Sequence, residues 1–367
     1  MSEFNQWAFI TPRDVWMFRD SKPFAAQAAF VARSLFPPTP QTMQGMLRTY
    51  YLDANGIDLE AYGRGDLAAV IDLIGHNAPK DGSQAHLGKL RIAGPFVARR
   101  KADGQLERLF SAPLDLQYNA VEKKFRRLVV ENTAPITDAF DGWFPLSGGQ
   151  QGWGIVSGWL TESAFTNYLK GDVDKITSQS VIPDDSVYQM EERPGLALDT
   201  DRRAHRDHHF YHAQFVRLAE GTGLLMGTSI NLFKSAFGSI AVGGESRFGD
   251  YHLLDKTPPS LHTSKNGNLR VVLLTPAYFS DGYQPKTDWA KWVGAGKLAS
   301  VALGKPQPIS GWDVVKRQPK PLRHYLPAGS VLFFESATWQ DQPFTETPSG
   351  EPDFGAIGFG QVALGTW

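Results

Sequence analysis

The sequence predicts an α+β fold. Short strand-like runs outnumber helical ones, the two alternate without a regular β–α repeat, and stretches rich in Gly, Pro, Asp and Ser separate them. Residues 5–20 read as a strand. Within it Val15 to Phe18 are apolar on both alternating faces, as in an interior strand, and its end presents Arg19, Asp20 and Lys22. A helix is predicted over 40–53: Thr39 is placed to cap it, Pro40 occupies the tolerant first turn, and Met43, Met46, Leu47, Tyr50 and Tyr51 follow at helical spacing. At about 100° per residue, Gln41, Gly45 and Arg48 form a polar line across from that stripe. Residues 66–75 read as a second helix, and 88–110 as a hairpin turning at Ala102-Asp-Gly104. A helix is expected over 161–169, short strands between 195 and 231, and further strands over 268–275 and 328–334. The expected loops are 132–154, 180–195, 255–267 and 341–355, and no sequence repeat is present.

At 367 residues the chain is long enough for two modules, and 42% hydrophobic with 20% charged residues is an ordinary globular composition. Thr228, Ser229, Asn231 and Lys234 interrupt the longest apolar run, and the N-terminus has no signal-peptide pattern, so a soluble, cytoplasmic protein is expected. The absence of cysteine excludes disulfides, thiolate metal sites and cysteine nucleophiles. A net charge of −1 argues against a nonspecific polyanion binder and leaves room for a local basic groove. Arg99-Arg100-Lys101, Lys123 to Arg127, Arg202-Arg203 and Lys316 to Arg323 are the basic patches; each fits a solvated face, a phosphate contact or a docking site.

Few motifs carry chemistry. Leu146-Ser-Gly-Gly-Gln150 matches a short ATPase signature, but no phosphate-binding G-x-x-x-x-G-K-[ST] loop accompanies it. His205-Arg-Asp-His-His-Phe-Tyr-His212 would gather imidazoles for a metal if helical and split them between two faces if a strand. The remaining histidines, His76, His86, His252, His262 and His324, are isolated and define no acid–base pair. Two segments suit an anion. At the start of the 40–53 helix, free amides and the helix dipole favour negative charge, with Arg48 as a further donor and Gly45, costing about 1 kcal/mol against alanine, as clearance. In Gly243-Gly-Glu-Ser-Arg-Phe-Gly249 the glycines would let backbone amides approach phosphates, with donors from Ser246 and Arg247. An amphipathic surface helix and a tight turn are the plain alternatives.

The order of several motifs resembles a known family. Phe18-Arg-Asp-x-x-Pro-Phe24, Phe36-Pro-Pro-x-Pro-x-Thr42 and Gly45-x-Leu-Arg48 are followed by Gly94-Pro-Phe96 and Ser111-Ala-Pro-Leu-Asp115. Further on come Gly158 to Gly171 with its Tyr-Leu-x-Gly end, Arg193-Pro-Gly-Leu-Ala-Leu198, Phe215-Val-Arg-Leu218, the 243–249 loop and Gly358-Phe-Gly360 through Trp367. This series is similar to the third-subunit family of Cmr, the type III-B CRISPR effector, within the RAMP superfamily. The resemblance implies two ferredoxin-like, RRM-related RAMP modules with inserted hairpins and long loops, placed here at 1–190 and 191–367. It implies a non-catalytic subunit without cofactor or metal that binds the 5′ handle of the guide RNA. It also implies docking to the large palm-containing subunit and to a backbone RAMP subunit. On the matching positions the RNA contacts would be Arg19, Lys22, Thr42, Gly45, Arg48, Gly243, Gly244, Ser246 and Arg247. The alternatives are a guide-processing endoribonuclease using a histidine of the 205–212 cluster and a metal-dependent enzyme acting on small molecules.

Overall fold

A computed structural model describes residues 4–20, 31–76, 86–131, 144–147, 151–199, 204–286, 288–313 and 318–367. The fold is α+β and its sheets are largely antiparallel. The first sheet has eight strands in the order Val181–Ile182, Trp159–Thr161, Leu106–Ser111, Ile92–Arg100, Thr222–Thr228, Gln6–Pro12, Phe248–Leu253 and Phe237–Ala241. A second sheet orders Lys297–Ala302, Val331–Thr338, Asn266–Leu273 and Val362–Thr366. Strands from both sides of residue 190 share the first sheet, so that point does not divide the chain into two separate sheets.

Side-chain alternation explains the layering. Along the first strand Ala8 and Ile10 enter one core with Leu224, Met226 and Val97, while Trp7 and Phe9 enter another with Leu225, Phe96 and Phe110. Helix α1 (Pro40–Ala54) covers the first of these faces with Met43, Met46 and Leu47; α2 (Leu59–Arg64) and α3 (Ala68–Ile74) follow it. Helix α4 (Glu162–Lys170) and the second sheet cover the other, through Phe165, Leu169, Val272 and Phe333. The far side of the second sheet buries Leu269, Val271 and Phe334 against Phe279, Trp292 and Phe344. Among the described residues no helix is long and apolar enough to cross a membrane.

The helix ends follow their sequence signals. Thr39 caps α1 by accepting from the Thr42 amide at 3.3 Å, and Pro40 fills the first position. Thr161 caps α4, and Gly171 ends it at φ +88°. The short α2 was not expected, although Asp58 and Gly65 bracket it as cap and left-handed stop.

Two expectations need correction. The strand predicted over 5–20 ends at Pro12; Arg13 and Asp14 bend, and Val15 to Phe18 continue as a buried extended segment joined by single bridges, Trp16 to Val216 and Arg19 to Ser34. The apolar run is real: Trp16 and Phe18 belong to the main core, Val15 and Met17 to a smaller cluster with Ala213 and Phe215. The loop expected over 180–195 and the short strands after it are largely one long hairpin, Tyr188–Asp199 with Ala204–Leu218. Pro194 is tolerated because its strand lies at the edge of its sheet, where a missing N–H breaks no ladder.

A buried ion pair ties the layers together. Asp115 and Arg270 are 0% and 1% exposed, and Asp115 Oδ2 lies 3.0 Å from Arg270 Nε. Tyr168 of α4 donates its hydroxyl to Asp115 Oδ1, and the guanidinium lies over the Tyr168 and Phe333 rings. Burial and the adjacent carboxylate push the Tyr168 hydroxyl well above its ordinary pKa, which keeps it a donor. Asp115→Ala strands a buried cation and is expected to destabilise the protein by about 3–5 kcal/mol in urea unfolding. The double variant Asp115→Ala/Arg270→Met is expected to recover part of that loss.

Candidate nucleic-acid interface

The strand pairing of Gln6–Pro12 with Phe248–Leu253 brings the glycine-rich loop onto the segment that follows the first strand. The Gly244 amide donates to the Met17 carbonyl at 2.9 Å, and the Val242 amide donates to the Arg247 carbonyl at 2.8 Å, closing the loop. Gly243 adopts φ +72° so close to Met17 that a Cβ would collide with its carbonyl oxygen. Gly249 lies likewise against the Thr11 carbonyl and the Trp16 ring, and the Trp16 indole donates to the Phe248 carbonyl at 3.2 Å. These two glycines therefore serve close contact with this chain's own backbone. Gly243 to Ser246 remain exposed, with Glu245 and Ser246 held at φ +58° and +51°, a left-handed conformation uncommon outside glycine.

Beside the loop lies a charge cluster that sequence reading missed. Arg193 and Arg217, on the two strands of the long hairpin, each reach both Asp14 and Glu191. The distances are 3.1 and 2.7 Å from Arg193, and 3.1 and 2.6 Å from Arg217. Arg247 approaches Asp14 only to 3.8 Å and, with Arg193, packs over the Phe215 ring. Its Nε is shielded and makes no hydrogen bond. Three guanidinium groups thus face two carboxylates, an excess of one positive charge. Burial pulls the Asp14 carboxyl upward, yet hydrogen bonds from Arg193 and Arg217 outweigh it and hold the pKa below its usual value. Hydrogen bonds from Arg217 and Arg193 lower Glu191 in the same way. Their stabilisation is present above the ordinary carboxylate range and lost as pH falls through the depressed values; exposure to solvent keeps it small. The sequence signal was alternation: Glu191 and Arg193 share one face of their strand, and Gln189↔Arg217 pairing sets the partner face.

The other expected contacts are placed differently. Arg19 is exposed at the end of its buried segment, and Lys22 lies outside the described residues. Thr42 is half-buried, with its amide already capped by Thr39. The start of α1 is packed against the C-terminal half: Pro38, Thr39 and Pro40 are buried, and Gly358 and Gly311 lie beside Pro40 and Gln41. Gly45 is exposed on α1, and a Cβ there would meet nothing within 4 Å. Arg48 departs from the predicted polar line. It is 6% exposed, turned inward to donate from Nε to the Ile74 carbonyl at 2.7 Å at the end of α3, and burial lowers its pKa. Gly45 and Arg48 therefore do not form one outward surface.

The backbone of His205 to His212 is a strand, so the helical arrangement for a metal does not form; the side chains from 205 to 211 lie outside the described residues, as do Gly148 to Gln150. Among the described residues no group of three or more His, Asp or Glu side chains is placed to hold a metal.

Comparison with known proteins gives a family and a fold. The family described as CRISPR-associated protein (Cas_Cmr3) matches residues 8–367. Two solved structures are similar in fold, one described as the type III-B Cmr-beta complex bound to cognate target RNA and one as the same complex with target RNA and AMPPnP. The TM-scores are 0.51 and 0.50, and each match is 16% identical and covers 89% of this chain and 86% of the other. No curated protein sequence matches the chain.

The two kinds of glycine make opposite predictions. Gly45→Ala fills open space in a helix interior and is expected to stabilise the protein by about 1 kcal/mol. Gly243→Ala meets both a positive φ and the Met17 carbonyl, and is expected to destabilise by about 1–3 kcal/mol. Urea unfolding of the two variants measures both.

Proposed function

Because the chain belongs to the CRISPR-associated Cas_Cmr3 family, we propose that it is a non-catalytic RNA-binding subunit of a type III-B CRISPR effector. In this role it holds the 5′ handle of the guide RNA and bridges the large palm-containing subunit to the RAMP backbone. The observation that carries the RNA-binding part is the exposed run Gly243 to Ser246 seated beside three arginines that face two carboxylates. Arg247 is the most loosely paired of the three, so a phosphate can draw it from Asp14 with the least loss of existing bonds, while Arg193 and Arg217 keep the site in place. The exposed turn at Glu245 and Ser246 supplies neutral donors next to it, the Gly244 amide being already given to the Met17 carbonyl, and Arg19 and Lys22 are further contacts for the same strand. Such contacts fix the backbone of an RNA strand; splayed bases give the sequence preference.

Gly45 fits the same role as clearance, since its open space is unused by this chain. Thr42 at the start of α1 is a contact for the same strand. Arg48 acts from behind, by holding the end of α3 to α1.

Arg247→Glu is expected to weaken binding of handle-containing guide RNA about tenfold or more and to lower the salt dependence of binding, with the fold retained by circular dichroism and a modest fall in unfolding temperature from the third carboxylate. Gly45→Ala, stabilising by itself, is expected to weaken the same binding. Unchanged affinity in both variants would overturn the assignment of the surface. The histidines of the long hairpin favour one competing role, guide-processing endoribonuclease. Specific cleavage of repeat RNA by the purified protein, lost in His208→Ala or His209→Ala, would replace the non-catalytic role.

A further inference from the structure

We propose that the open edge of the eight-stranded sheet is a second RNA site, a base-stacking platform formed by Phe248 at one end and Phe237 with His252 at the other. It rests on the RNA-binding role above and extends it to bases beyond the phosphate-holding loop.

In the edge strands the pairs Phe237↔His252, Ser239↔Asp250 and Ala241↔Phe248 place alternate side chains on one face of the sheet. The opposite face is anchored: Ile240, Val242 and Tyr251 are buried in the core that α1 covers. In the middle of the sheet the first face is also covered, by α4 and the second sheet, but at this edge the cover stops. Phe237 is left 69% exposed and Phe248 47% exposed, with His252, Ser239 and Ala241 open around them. The Phe237 and His252 rings lie 6.4 Å apart. Phe248 and His252 are four residues apart on one strand, about 13 Å, a span that suits two or three unstacked nucleotides.

Two observations point to RNA as the occupant. The first is continuity: Phe248 directly follows Arg247, and its carbonyl accepts from the Trp16 indole at 3.2 Å and the Arg13 amide at 3.3 Å, so the ring and the loop are fixed at one corner of the sheet, and an RNA strand that turns over this edge from the loop reaches the ring. The second is the pattern of the face. The rings are separated by polar groups, Ser239 and Asp250, and Asp250 is held by two hydrogen bonds from Arg13 at 2.7 and 2.9 Å. Bases, with apolar faces and polar edges, match such a surface, whereas a protein interface has a continuous apolar centre.

The test uses the purified full-length chain and guide RNA carrying its 5′ handle. Phe248→Ala and Phe237→Ala are each expected to weaken binding about tenfold without changing its salt dependence, because no phosphate contact is lost. Phe248→Tyr is expected to bind as the parent does. Thermal unfolding should be unchanged in all three. If Arg247→Glu weakens binding but the Phe237→Ala/Phe248→Ala double variant does not, the platform is overturned and the loop site stands. If the parent chain binds no RNA, the loop site and the platform both fall. If the double variant keeps its RNA affinity but no longer copurifies with another effector subunit, the face is a protein-docking surface and the platform is overturned.

Discussion

The constraint on which the molecule depends is burial of the first strand on both faces. Gln6–Pro12 sits between two antiparallel neighbours and sends Ala8 and Ile10 into one core, Trp7 and Phe9 into another. A one-residue slip would exchange the two sets and place indole and phenyl rings where methyl and sec-butyl groups fit under α1. The register of this strand therefore fixes where α1 lies, where the second sheet lies and, through its pairing with Phe248–Leu253, where the glycine-rich loop lands.

Much of this was legible in the sequence, for identifiable reasons. Helices α1 and α4 carried cap, proline or glycine, and apolar spacing at once, so their ends were found to within a residue or two. The first strand was seen but extended too far. Val15 to Phe18 have the composition of a strand interior, and nothing local shows that their backbone would make only single bridges. The long hairpin was hidden by Pro194 and by its polar residues; the edge position of the Pro194 strand, a tertiary fact, is what permits the proline. The strands 237–241 and 248–253 are short and glycine-containing, and their stability comes from Ile240 and Tyr251 packing beneath α1.

The site was legible in its parts and not in its assembly. The nearness of the 10–20 segment and the 243–249 loop came from strand pairing more than two hundred residues apart. Arg48 shows the limit of periodicity: a helical wheel places it with Gly45, but the carbonyl of Ile74 offers a partner that turns a long side chain inward. Asp14, Glu191, Arg193 and Arg217 are unremarkable singly, and only the hairpin geometry makes them one cluster.

That cluster ties the hairpin to the start of the chain. Its two strands are fastened at the base to Asp14 by Arg193 and Arg217 and to Trp16 through the Val216 bridge. Phe215 lies beneath both Arg193 and Arg247. The ring is shared by the hairpin and the glycine-rich loop, so its packing belongs to both at once. Truncating that one side chain would therefore loosen the base of the hairpin and the seat of the loop together.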